Sequence, residues 1–219
     1  MQQALPLFPL STVLFPGGLL PLQVFEVRYL DLVRRCEASG EPFGIIALQS
    51  GDEVRRAPSP GQQQAPEEAL FAVGTEAQLE QVLRPQAGLM MVLARGVRRF
   101  RLHRSHVLPH GLRMGEIEWL ADDVPTPCPV ELMPLSTRLL SLREELAAEL
   151  DGQGEVDLPP AGDPRWHDAG WLANRWAERL PLPVPERQRL MSLDNPVWRL
   201  ELVSEWLDRL QRATSSDPR

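Results

Sequence analysis

Three histidines, His103, His106 and His110, stand three and four residues apart. On a helix that spacing would turn their imidazoles to one side and could begin a transition-metal site. The stretch that carries them reads as strand and turn, with Pro109 and Gly111 inside it, and no acidic or cysteine ligand is near in sequence. Surface or turn histidines are therefore expected, with no metal. Cys36 falls on an apolar helical stripe, where a cysteine packs as a small hydrophobe, and Cys128, between Pro127 and Pro129, has no activating histidine beside it. No serine sits in a Gly-x-Ser-x-Gly elbow. The pairs Glu116/Glu118 and Glu144/Glu145 read as solvated faces, and Gly17-Gly18 is a turn without the spacing of a dinucleotide fingerprint.

One compositional fact excludes more. All 23 basic residues are arginine. Without an ε-amino group this chain offers no phosphate-loop lysine, no Ser–Lys base and no Schiff base. A catalytic role is not expected, and no cofactor is implied. The net charge of -7 argues against nucleic acid as the main partner. The run Arg95, Arg98, Arg99, Arg101 and Arg104 is a candidate anion patch, but is expected to be the wet side of a strand and turn, paired with carboxylates. Five tryptophans, Trp166, Trp171, Trp176, Trp198 and Trp206, lie in the C-terminal region, with Trp119 just before it. Core packing is their expected role, and Trp166 and Trp171 are the pair expected to be partly exposed.

The elements that must position these residues fall into two kinds. Leu5–Leu10 and Leu19–Phe25 are apolar strands with prolines at edges or bulges, joined through the turn Phe15-Pro16-Gly17-Gly18. Glu26 to Ala38 switches to helical period and stops at Gly40. Strands are predicted at 43–48, from Ala72 toward Val82, through Leu89, Met91 and Leu93, at Phe100 and Leu102 beyond a turn at Gly96, and at Gly115, Ile117 and Trp119. Short strands with Gly and Pro turns imply a small, strongly bent sheet or barrel. Beyond a proline-rich linker at 122–130 the period is helical. Leu132, Leu135, Leu139, Leu142, Leu146 and Leu150 form one stripe, Ala169, Leu172, Trp176 and Leu180 a second, and Leu200, Val203, Leu207 and Leu210 a third. Asp163-Pro164 and Asn195-Pro196 read as helix starts, and a short helix is expected near 186–192. The expected class is thus α+β, with a β-rich part at 1–121 containing a flexible insert at 50–69, a helical bundle at 131–212 and a disordered tail at 213–219. The two cysteines suit a reducing compartment, and neither a signal peptide nor the roughly 20-residue apolar run of a membrane span is evident. A cytoplasmic protein is expected.

The opening LPLFPLSTVLFPGGLLPLQVFEVRYL (5–30) resembles the start of the N-terminal substrate-binding domain of Lon protease, above all in its short stand-alone bacterial members. Val73-Gly74-Thr75-Glu76-Ala77 is similar to that family's Gly-Thr strand, Gly96-Val97-Arg98-Arg99-Phe100 to its Gly-x-x-Arg-Phe turn, and 172–183 with Leu193-Asp194-Asn195-Pro196 to its helical half. The resemblance implies a bent β domain followed by helices, and a role in engaging polypeptides without the ATPase and peptidase modules. It directs attention to Phe25, Glu26, Arg28 and Tyr29 at a strand–helix corner and to Arg99 and Phe100 on the later turn. One reading is structural: Glu26 or Arg28 ties the helix start to that turn. The other makes Phe15, Phe25 and Tyr29 part of an apolar peptide groove. The expected partner is an unfolded or extended polypeptide, bound by a monomer or weak oligomer acting as adaptor or holdase. The alternative is a small-molecule or anion sensor with a pocket between the two parts, near Trp166 and Trp171. An unrecognised hydrolase would need a nucleophile within reach of a histidine.

Overall fold

The computed structural model describes residues 3–50, 69–150 and 156–215. Two compact units emerge, one of Met1–Asp122 with Pro183–Met191, the other of Asp123–Leu182 with Ser192–Arg219. The mixed α+β class expected from the periodicities is observed.

The first unit holds strands β1 (Gln3–Leu10), β2 (Leu19–Val24), β3 (Phe43–Ser50), β4 (Ala69–Gln86), β5 (Leu89–Val107) and β6 (Arg113–Trp119), with helix α1 (Val27–Ser39) between β2 and β3. They form one sheet in the order β2-β5-β4-β3-β1-β6, and β5 also pairs with β6. The long strand β5 makes this possible. Its first half pairs with β2, from Leu19↔Arg95 to Val24↔Met90, and its second half with β6, from Phe100↔Trp119 to Val107↔Arg113. Strands β1, β3, β4, β5 and β6 therefore close on themselves, and β2 is left as a flap with one free edge among the described residues.

Two expectations for β5 are corrected. There is no turn at Gly96, since the strand runs through it without a break. The glycine serves a close approach instead: a Cβ there would lie 2.2 Å from the Phe15 carbonyl oxygen. The apolar phase is also the opposite one. Met90, Val92 and Ala94 are buried, while Met91 faces out. Leu89, Met91 and Leu93 alternate as read, but so do their neighbours, and pairing with β2 and β4 decides which set is covered.

The core of this unit packs Phe8, Leu22, Val24, Tyr29, Leu32, Val33 and Phe43 between the sheet and α1. A smaller cluster gathers Leu5, Leu7, Ile46, Phe100 and Ile117. Helix α1 ends where Gly40 adopts φ 72° and donates to the Cys36 carbonyl, a left-handed cap that glycine reaches without strain. The polar insert expected at 50–69 lies outside the described residues except for Ser50 and Ala69, which pair across β3 and β4.

The short helix α4 (Val184–Ser192), expected within the bundle, belongs largely to this first unit. The physical reason is buried polar pairing. Gln188 Nε2 donates to the Val73 carbonyl at 2.7 Å, and Arg99 Nη1 donates to the Met191 carbonyl at 3.0 Å. Apolar periodicity could not reveal those partners.

The second unit holds α2 (Met133–Glu149), α3 (Ala169–Arg179) and α5 (Pro196–Ser215). Leu135 and Leu139 of the first stripe are buried, all four residues of the second are, and so are Leu200, Val203 and Leu207 of the third. The segment after Asp163 starts with a 3-10 turn, Pro164–His167, rather than the α-helix expected there. A second cap follows, in which Asp168 accepts from the Trp171 amide at 2.7 Å and opens α3. Asn195 caps α5 by accepting from the amides of Val197 and Trp198. Beneath these caps Arg199, 1% exposed, donates to Asp123, to Asn174 and to the Leu193 carbonyl. The tail expected at 213–219 is helical as far as Ser215, and the rest lies outside the described residues. Among the described residues, no helix is long and apolar enough to cross a membrane.

Candidate functional site

The motif residues of the first unit separate into those that hold the barrel and those that face out. Phe15 and Phe100 are fully buried, and Arg99 and Tyr29 nearly so. Their environment explains the burial. The Phe100 ring lies against the backbone of β4, where a Cβ on Gly74 would come within 2.4 Å of it. Thr75 donates its hydroxyl to the Leu14 carbonyl at 2.5 Å, and Gly96 admits the Phe15 carbonyl. Leu14-Phe15, Gly74-Thr75 and Gly96 to Phe100 thus brace one another. Of the seven residues singled out for peptide contact, Phe15, Arg99 and Phe100 are placed where they serve the fold.

The strand–helix corner is different. Phe25 is 52% exposed. Arg28 donates to Glu26 at 3.0 Å and to the Gly111 carbonyl at 3.1 Å, and its guanidinium lies 4.5 Å over the Tyr29 ring. The Tyr29 ring stacks on Phe8 with centroids 3.9 Å apart and planes 8° from parallel. Arg28 does tie the helix start to a turn, as expected, but that turn is the one at Gly111 rather than the stretch at 96–100. The reason is that residues 96–100 lie inside strand β5 and form no turn.

Beside this corner runs a groove of about 330 Å³, lined by Phe8, Leu10, Leu20, Leu22, Val24 and Tyr29, with Thr12, Pro21, Gln23, Phe25 and Glu26 along it. The apolar surface continues across the outer face of the flap. Gln23 pairs with Met91 and Met91 with Leu83, so the three stand in one row over three strands, and Pro21 stands opposite Leu93. Leu83 and Met91 are both exposed. None of these residues was singled out from the sequence as part of a site. Their signal was alternation, and it became legible only once the partner strands were known.

Two members of the arginine run, Arg95 and Arg98, are paired with carboxylates. Arg95 donates to Glu80 at 2.7 Å, and that bond lowers the Glu80 carboxyl below its ordinary range. Arg98 pairs with Glu76 and covers the Trp119 ring at 3.7 Å, while Arg101 and Arg104 stand opposite Glu118 and Glu116. His103 lies 3.3 Å from Glu118. Among the described residues, no three His, Cys, Asp or Glu side chains are grouped as metal ligands would be. Burial raises the Cys36 thiol above its usual value, only partly opposed by Arg35, and burial followed by Asp168 raises that of Cys128. Neither environment makes a ready thiolate.

In the second unit, Trp166 corrects an expectation. It is buried, donates its indole N–H to the Pro160 carbonyl at 3.0 Å and meets Trp171 edge-on at 5.0 Å. The 3-10 turn folds it inward. Trp198, 63% exposed on the first turn of α5, is the tryptophan that faces out.

The family model for the ATP-dependent protease La (LON) substrate-binding domain matches residues 4–209. The chain belongs to that family. A crystal structure of a Lon N-terminal domain protein from Xanthomonas campestris superposes with a TM-score of 0.69 at 33% identity, over 93% of this chain and 98% of that one. The N-terminal domain of Lon protease from the Mycobacterium avium complex, at 17% identity and TM-score 0.58, shares the fold over 93% of this chain and 97% of its own. Lon protease of Anaeromyxobacter dehalogenans is 26% identical over 211 residues, covering 94% of this chain and 23% of the relative. Lon protease 2 of Myxococcus xanthus is 24% identical over 95% of this chain and 24% of its own length. The chain thus spans about a quarter of the length of these curated relatives, and the similarity is to the substrate-binding domain.

Proposed function

We propose that this chain is a non-catalytic polypeptide-binding module, an adaptor or holdase that takes unfolded protein segments in the groove beside β2. The observation that carries the reading is Phe25, a half-exposed aromatic ring at the mouth of an apolar groove. Soluble proteins rarely leave contiguous apolar surface open without a use, and here the patch extends through Pro21, Met91 and Leu83. Membership of a substrate-binding family supports the same reading, and the absence of lysine from this chain supports a role without chemistry of its own. Glu26, Arg28 and Tyr29 are assigned the wall of the site. Phe15, Arg99 and Phe100 act indirectly, by holding β4 and β5 behind it.

The test is fluorescence anisotropy with a reduced, alkylated and therefore permanently unfolded model protein. Covering the exposed half of a phenylalanine ring is worth roughly 1 kcal/mol, so Phe25→Ser should weaken binding about fivefold. The other half of the ring is packed, so the melting temperature should fall modestly, and binding is compared well below the transitions of both proteins. Equal binding by Phe25→Ser and the unaltered chain would move the site elsewhere, and no binding by either would remove the proposal.

A further inference from the structure

Resting on that polypeptide-binding reading, we infer that the bound segment enters as an extended β-strand added to the free edge of β2. Strand β2 is paired with β5 alone among the described residues. The Gly96 amide donates to the Gly18 carbonyl, which sets the phase of the ladder. Antiparallel alternation from there turns the backbone N–H and C=O of Leu20, Leu22 and Val24 toward β5 and those of Leu19, Pro21 and Gln23 outward. Pro21 fits this phase, because a residue without an N–H is tolerated in a strand where no ladder bond is required of it.

Among the described residues, the opposite bank of the groove lacks a neighbour as well. Strand β6 covers β1 only as far as Leu7↔Arg113, whereas Phe8, Pro9 and Leu10 pair with β3 alone. Phe8 and Leu10 line the same groove as β2. The slot therefore lies where two strands both lose a partner.

The chemistry selects the form of the occupant. An α-helix satisfies its own backbone and would leave the outward amides of Leu19 and Gln23 without a partner. An extended segment exchanges bonds with them while setting every second side chain in the groove beside Leu20 and Phe25. The six residues of β2 offer an edge roughly 20 Å long, enough for a segment of about six residues. Its sequence, Leu-Leu-Pro-Leu-Gln-Val, contains no charge. Edge strands that must avoid pairing carry charged side chains, and here Pro21 is the one guard. The substrate class is thus an extended segment with apolar residues at alternate positions.

The probe is a fluorescent decapeptide alternating valine and threonine between terminal arginines, made in three forms: unmodified, and N-methylated at every second residue in either phase. The unmodified peptide and one methylated phase should bind alike, and the other phase at least tenfold more weakly. On the protein side, Gln23→Pro removes an outward amide and should reproduce that loss, while Gln23→Ala keeps the amide and should bind several-fold more tightly than Gln23→Pro. If both methylated peptides bind as the unmodified one does, while Phe25→Ser still weakens them, strand addition is wrong and the polypeptide reading survives. If neither the peptides nor the unfolded protein bind, the underlying reading fails too. Concentration-dependent dimerisation abolished by Gln23→Pro would assign the edge to a second copy and overturn the inference.

Discussion

Asp163 shows how local a carboxylate's chemistry can be. Its oxygens accept from the Arg165 side chain and from the Arg165 amide, both at 2.9 Å, and the side-chain bond is the larger cause that lowers its pKa from 3.8 to about 2. A folded-state value below the unfolded one stabilises the fold above about pH 4, and that contribution disappears as pH falls through about 2. A carboxyl titration followed by NMR should place its midpoint near 2, and Arg165→Ala should return it toward 3.8. Arg199 is the buried counterpart. Its guanidinium satisfies Asp123, Asn174 and the Leu193 carbonyl at once, so Arg199→Ala leaves several acceptors stranded. A loss of about 3 kcal/mol is expected, read as a shift in the urea midpoint.

Among the elements, β5 organises the first unit because it serves two partners in succession, and Gly96 sits where it passes from one to the other. The Gly96 amide donates to Gly18, and the Gly96 carbonyl accepts from Gly17 at 2.8 Å. An alanine methyl would meet the Phe15 carbonyl, and backbone cannot yield as a flexible side chain does. Gly96→Ala should therefore cost about 2 kcal/mol and loosen the β2 flap. Amide hydrogen exchange would show faster exchange at Leu20, Leu22 and Val24 than in helix α1.

For the molecule as a whole, the β unit is discontinuous in sequence. Residues 1–122 contain every strand among the described residues, but α4 supplies Gln188 for the Val73 carbonyl and the Met191 carbonyl for Arg99. A fragment of 1–122 should retain strand content by far-UV circular dichroism yet lose the sharp near-UV signal of fixed aromatics. Supplying 183–192 in the same chain through a short linker should restore it. A fragment as well ordered as the intact chain would show that these buried pairs are dispensable.

The sequence by itself determined the elements and much of their order. Helix α1 followed from helical period and a glycine stop, the caps at Asn195 and the stripe Ala169, Leu172, Trp176 and Leu180 from residue type and spacing, and the exclusion of lysine chemistry from composition. Such properties depend on neighbours a few positions apart along the chain. Tertiary structure alone decided which phase of Leu89–Ala94 is buried, that Trp166 turns inward and Trp198 out, and that α4 joins the strands. It also decided that Phe15, Arg99 and Phe100 belong to the barrel while Pro21, Phe25, Leu83 and Met91 form the open surface. Each of these turns on a partner far away in sequence, a paired strand, a distant carbonyl or a ring against a glycine, and local pattern holds no record of that distance.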